Sequence, residues 1–151
     1  MTLKSSLAAA AALVLSASAV LADTATIHVV KDADCGCCEA WMDHLRDEGF
    51  DPRGQDVSFE ALQAEKARLG VPAAMASCHT AQVDGYVIEG HVPAAEIRRL
   101  LAERPDAVGL AVPGMPMGSP GMDYGDARDS YQVLLIGRDG GAEPFATYPA
   151  D

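Results

Sequence analysis

The sequence predicts an α/β fold, a mixed central sheet with helices on both faces. Three observations lead there. Short β-branched or apolar runs alternate with segments of helical period. An Asp84-Gly85 pair separates two extended runs, the strongest short-range signal for a hairpin. The order along the chain is strand, helix, strand, helix, hairpin, helix, with further strand material at the end. The sequence shows no internal repeat and no second-domain boundary, so residues 23–151 are read as one domain.

The first strand is "TATIHVV", Thr24 to Val30. Cys38, Trp41, Met42 and Leu45 then fall at i, i+3, i+4 and i+7, the apolar stripe of a helix that Gly49 is placed to end. "FDPRGQDVS" holds a short second strand and an N-cap at Ser58. In the helix that follows, Phe59, Leu62, Lys66 and Leu69 share one face, and Gly70 stops it. "VPAAEIRRLLAERP" is a third helix between Pro93 and Pro105. "YQVLLIG", "RDGG" and "PFATY" make a closing hairpin. The segment from Pro105 to Asp129 is one long connection, of the length that functional or flexible loops have.

A two-residue turn at Asp84-Gly85 sets a register. Val83 lies opposite Tyr86, Ala81 opposite Ile88, His79 opposite Gly90 and Cys78 opposite His91. Val83, Ala81, Tyr86 and Ile88 form an apolar face; Gln82, Thr80 and Glu89 mark the other as polar, with Val87 the exception. A competing reading starts the strand at Pro72, in the place of the cis-proline of thioredoxin-like folds. That would carry Cys78 roughly 20 Å along the strand. The turn chemistry favours the shorter hairpin.

Residues 1–22 read as a secretory signal peptide: Lys4, an Ala/Leu/Val run, then small residues at Ala17, Ala19 and Ala22. An exported, periplasmic protein is expected, with no membrane span after cleavage. The formal net charge is −11, with no basic stripe and few aromatics, which leaves nucleic-acid binding without support.

Three of the four cysteines stand in "DCGCC". Cys35 and Cys38 form a C-x-x-C at a helix N-terminus, where the helix dipole and free N–H groups favour thiolate. After a β-strand this is the thioredoxin-like redox signature. Cys37 adds a third sulfur, and Cys78 comes in from the hairpin. Stapling disulfides, for instance Cys35–Cys38 with Cys37–Cys78, and structural zinc are alternatives. Three clustered thiolates with a fourth suit a soft metal better, above all Cu(I). Met115, Met117 and Met122 in "AVPGMPMGSPGMD" follow neither helical nor strand period, which core methionines normally do. Thioethers in an oxidising compartment point to the same metal. His91 is a candidate ligand. His79 is expected to face away from Cys78, His44 to be solvated, His28 to be packed or exposed, and Met42 and Met75 to fill the core.

"CGCCEAWMDHL", "GVP", "SCHTAQVDGYVIEGHVPAAEI" and "GLAVPGMPMGSPGMD", in that order, make the chain resemble the CopG-like periplasmic copper-resistance proteins. The resemblance runs from about residue 26 to 136. It implies a thioredoxin-like fold and a copper site built by Cys35, Cys37, Cys38 and Cys78, with His91, Met115 and Met122 beside them. It also implies copper ions bridged by the thiolates and a copper-linked redox role, which leaves open whether the protein is an enzyme. Departures are small: acidic residues precede the motif, Met117 is an extra thioether, and Asp123 stands where Glu is usual. The expected function is periplasmic copper binding in copper resistance, with copper ions and other copper-handling proteins as partners. Alternatives are a thiol–disulfide oxidoreductase using Cys35 and Cys38, or a carrier that hands Cu(I) on.

Overall fold

Strand β1 (Thr26–Asp32) begins the architecture in the computed structural model, which describes residues 24–150. The signal peptide read at 1–22 lies outside the described residues. Helix α1 (Gly36–Asp47) follows, and Gly49, at φ +85°, ends it as the left-handed glycine beyond the cap. Then come β2 (Asp51–Val57) and α2 (Phe59–Arg68), whose N-cap Ser58 accepts a hydrogen bond from the Ala61 amide at 3.2 Å. A single 3-10 turn, Ala73–Met75, leads to β3 (His79–Val83) and β4 (Tyr86–Glu89). Helix α3 (Ala94–Glu103), β5 (Gly109–Ala111), β6 (Tyr131–Ile136) and β7 (Ala142–Tyr148) complete the chain. Among the described residues no helix is long and apolar enough to cross a membrane.

The seven strands form one mixed sheet in the order β2-β1-β3-β4-β5-β6-β7. The β1–β2 and β4–β5 pairs are parallel; the other neighbours are antiparallel. The α/β, thioredoxin-like expectation is met. The hairpin register is as predicted, with Val83 opposite Tyr86 and Ala81 opposite Ile88. Asp84 and Gly85 both have positive φ, as a type I′ turn requires. Pro72 begins the 3-10 turn rather than a strand, so the competing register is wrong.

Two expectations are corrected. The long connection after Pro105 is not all loop, because Gly109–Ala111 enters the sheet beside β4. A three-residue strand is too short to leave a periodic signal. Gly109 is required there: a Cβ would sit 1.8 Å from the Val87 carbonyl oxygen. Phe59, the first residue of α2, does not join Leu62 and Lys66 on the buried face and is 70% exposed. The polar hairpin face is largely covered by α2. Thr80 and Glu89 are fully buried, and Lys66 of α2 meets Glu89 there.

The main core lies on the other face. Trp41, Met42 and Leu45 of α1 and Ile97 and Leu100 of α3 pack on Ile27, Val29, Ala81, Val83, Ile88 and Leu110. At roughly 1.5–3 kcal/mol for each large apolar side chain buried, this face carries most of the hydrophobic stabilisation.

Candidate metal centre

The N-terminus of α1 sets three sulfurs at one point because the chain leaves β1 through a tight turn. The Cys35 amide donates to the Asp32 carbonyl at 3.2 Å, and Cys35 is itself the N-cap residue. Cys38, one turn in, is fully buried, while Cys35 and Cys37 are half-buried. Cys35 and Cys38 form a disulfide; Cys37 and Cys78 are free thiols. Cys78 Sγ lies 3.5 Å from Cys38 Sγ and 3.7 Å from Cys37 Sγ, and Cys37 Sγ lies 3.6 Å from Cys35 Sγ. All four sulfurs fall within 4.8 Å of one another. That compactness is what a single soft ion or a small thiolate-bridged group needs.

The hairpin supplies the other side. Cys78 Sγ is 3.0 Å from Nε2 of the fully buried His91. His91 Nδ1 lies 2.8 Å from the Pro120 carbonyl oxygen, which can only accept, so Nδ1 carries the proton. Nε2 therefore turns its lone pair toward Cys78. A backbone carbonyl that fixes the tautomer in this way is the usual outer support of a metal-binding histidine. Burial lowers the pKa of His91, against the pull of that carbonyl. Burial, and then the neighbouring Cys37, push the Cys78 thiol up to about 12. Such a thiol stays protonated at neutral pH, and a metal cation that binds the sulfur displaces its proton to solvent.

His79 departs from expectation. Strand alternation places it facing away from Cys78, yet its Nδ1 is 3.3 Å from Cys78 Sγ, and the two residues form a second close donor group with His91. Cys78 precedes the first residue of β3, so strand alternation does not govern its side chain. The His79 ring is wholly buried, 4.3 Å from the Trp41 ring centroid and 5.1 Å from that of His91, and its Nε2 has no hydrogen-bond partner among the described residues. Desolvation holds its pKa well below the ordinary imidazole range. His44 is also not simply solvated: its Nε2 accepts a hydrogen bond from the Ala94 amide at 3.2 Å and caps α3. His28 is exposed, and Met42 and Met75 are buried as expected.

The 112–130 loop closes over this end. It is bonded to itself through Gly118 N to Met122 O (2.9 Å), Met122 N to Ser119 O (2.8 Å) and Ser119 Oγ to Pro116 O (2.7 Å). Gly121, at φ +81°, lies so close to α1 that a Cβ would meet Trp41 N at 2.6 Å and Cys37 O at 2.7 Å. The backbone immediately before Met122 is thereby seated on the first turns of α1. At the neck of the loop Gly114 N donates to Ala76 O at 3.3 Å, which ties the approach to Met115 to the segment before Cys78. Met115 itself is 51% exposed. Met117 belongs to the far side of the loop, where its backbone pairs with Asp129.

Comparison with known proteins identifies the family. A family profile described as "Protein of unknown function, DUF411" matches residues 75–122, the stretch from the turn before Cys78 through Met122. Two solved structures of a copper resistance protein CopG, Form 2 and Form 1, are 51% and 50% identical to the chain. Each superposes with a TM-score of 0.78 over 84% of this chain and 100% or 99% of the other. The chain belongs to the CopG family of copper resistance proteins. No curated protein matches. The match to the CopG structures covers 84% of this chain, whereas the family profile begins only after α2.

Sequence reasoning missed the buried Lys66–Glu89 pair and the place of His79. The first had a signal, a lysine inside the otherwise apolar stripe of α2. The second had none.

Proposed function

We propose that the protein binds copper, as Cu(I) held singly or as a thiolate-bridged cluster, and serves copper resistance in the periplasm. The observation that carries the reading is the set of four sulfurs within 4.8 Å of one another, with the His91 Nε2 3.0 Å from one of them. Sulfur-rich donor sets with one imidazole favour Cu(I) over hard cations. The ligands assigned are Cys35, Cys37, Cys38 and Cys78, with His91, Met115 and Met122 completing the site. Membership of the CopG family supports this reading, and the basic start, apolar run and small residues of 1–22 read as an export signal.

A second reading has its own observation, the Cys35–Cys38 disulfide. Two of the four sulfurs are unavailable to a metal while that bond stands, and its two-electron reduction, with uptake of two protons, returns two thiols. Copper binding and thiol oxidation would then exclude one another at the same pair of cysteines, and a thiol–disulfide oxidoreductase would use Cys35 as nucleophile and Cys38 as resolver.

The test is anaerobic Cu(I) titration of the fully reduced protein, reading copper per chain and free thiols together. Two or more tightly held ions with all four thiols protected support the copper reading. Absence of tight copper, with ready formation of Cys35–Cys38 in air, returns the protein to the oxidoreductases. Cys37→Ser is expected to lower copper per chain while sparing the fold; equal capacity in variant and parent would remove the bridging role of Cys37.

A further inference from the structure

The sulfur cluster has a support on the opposite face of the sheet. Glu89, the last residue of β4, is fully buried, and its Oε1 accepts from Lys66 Nζ at 2.5 Å and from the Ser77 backbone N–H at 2.6 Å. Lys66 is 3% exposed and reaches this carboxylate from α2. Ser77 immediately precedes Cys78 and lies in neither a helix nor a strand, so nothing regular holds its amide. Its hydroxyl donates to the carbonyl of Gly114, the residue before Met115, and stands 3.9 Å from Cys78 Sγ.

Gly90 adds a steric constraint: with φ +71°, a Cβ there would meet Ser77 at 2.5 Å and the Val112 carbonyl at 2.7 Å. The Val112 amide in turn donates to the Glu89 carbonyl at 3.0 Å. Glu89 and Gly90 thus hold two segments at once, the turn that delivers Cys78 and the neck of the 112–130 loop.

A buried ion pair is weak evidence for stability, because apolar residues of similar volume often serve as well or better. The pair therefore calls for another account. The Ser77 amide provides one, since a charged acceptor makes a shorter and stronger bond than a neutral one and sets direction as well as distance.

We propose that Glu89, held by Lys66, is a positioning residue of the metal centre, which fixes the Ser77–Cys78 turn and, through Ser77, the approach to Met115. The inference rests on the copper-binding reading for its consequence, and on the hydrogen bonds alone for its geometry.

Two double variants separate positioning from mere stability. Lys66→Met with Glu89→Leu removes the charges and the acceptor for Ser77 N–H; Lys66→Met with Glu89→Gln removes the charges but keeps an acceptor. In a chain that also carries Cys35→Ser, Cys37→Ser and Cys38→Ser, Cys78 is the only thiol, and its alkylation by a maleimide is timed without any metal. The Leu pair is expected to speed alkylation about tenfold or more, the cost of one lost charge-assisted bond, and the Gln pair to stay within about threefold. In the four-cysteine chain the Leu pair is expected to weaken Cu(I) about tenfold in competition with a chromogenic chelator, and the Gln pair to hold near the parent. Parental alkylation rates in both pairs would overturn the proposal. Should the Leu pair not fold, hydrogen exchange of the Ser77 amide in the unaltered protein decides: protection supports the proposal, and exchange at the rate of unstructured chain overturns it. A parent that binds no copper sinks the copper reading alone, because the alkylation and exchange measurements contain none.

Discussion

The two faces of the sheet are built by different chemistry. Beneath α1 and α3 lies an apolar core in which Trp41, Leu45, Ile97 and Leu100 are wholly buried. Beneath α2 the buried side chains of the helix are Leu62 and Lys66, and the contact at its centre is an ion pair. The first face makes the fold stable, and the second trades that generality for direction. An apolar contact tolerates small rotations, whereas a carboxylate bonded at 2.5 and 2.6 Å to an ammonium and an amide does not. The cysteine cluster sits at the end where both faces meet.

The comparison can be broken most strongly by removing one charge. Lys66→Ala or Glu89→Ala leaves its partner buried and unpaired and is expected to cost about 3–5 kcal/mol in urea denaturation. Leu45→Ala on the other face is expected to cost a similar amount, about 2–5 kcal/mol, through a cavity. The faces part company in the double variants: the Lys66/Glu89 pair can be replaced by apolar residues with little loss of stability. A single-charge loss below about 1 kcal/mol would mean that water reaches the pair, and the contrast would fall.

A smaller effect is expected from Gly121→Ala. The new methyl has no room against Trp41 N and Cys37 O, and φ +81° disfavours a side chain, so the loop must lift at a cost of about 1–3 kcal/mol. The cysteine turn itself should persist, which thiol titration of the reduced protein would check; loss of ordered thiol reactivity would show that the loop builds the turn rather than covering it.

Smaller still is a pH effect at His44, which joins α1 to the start of α3. Desolvation lowers its pKa below the ordinary 6.5, against the attraction of Glu48, Asp123 and Asp47 and with the repulsion of Arg98. The unfolded chain therefore binds the proton first, and stability present at pH 7 is lost as pH falls through 6.5 toward the depressed value. Denaturation midpoints of parent and His44→Gln should converge or cross between neutral pH and about pH 5; parallel curves would remove the cap from the account.

Much of the fold is legible in the sequence alone. The Cys38–Leu45 stripe, the Ser58 cap and the Asp84-Gly85 turn each carry a local physical requirement, and each appears where the residues place it. The turn also predicted that Cys78 and His91 share one end of the hairpin, and their 3.0 Å contact follows from that count. His79 was misplaced because alternation was extended one residue past the end of the strand. Strand β5 is not legible because three residues, all buried, are too few to show a period.

What the sequence determined by itself is the kind of chemistry available: sulfur at a helix N-terminus, a hairpin of fixed register and a Pro/Gly loop carrying methionines. These are local properties, set by residue type and spacing. Only the tertiary structure decided which faces are buried, that a lysine in an apolar stripe meets a glutamate from another element, and that one carboxylate reaches the amide beside Cys78. Those contacts join residues 12 and 23 positions apart. No local rule specifies such pairings, because they exist only once the helices have packed against the sheet.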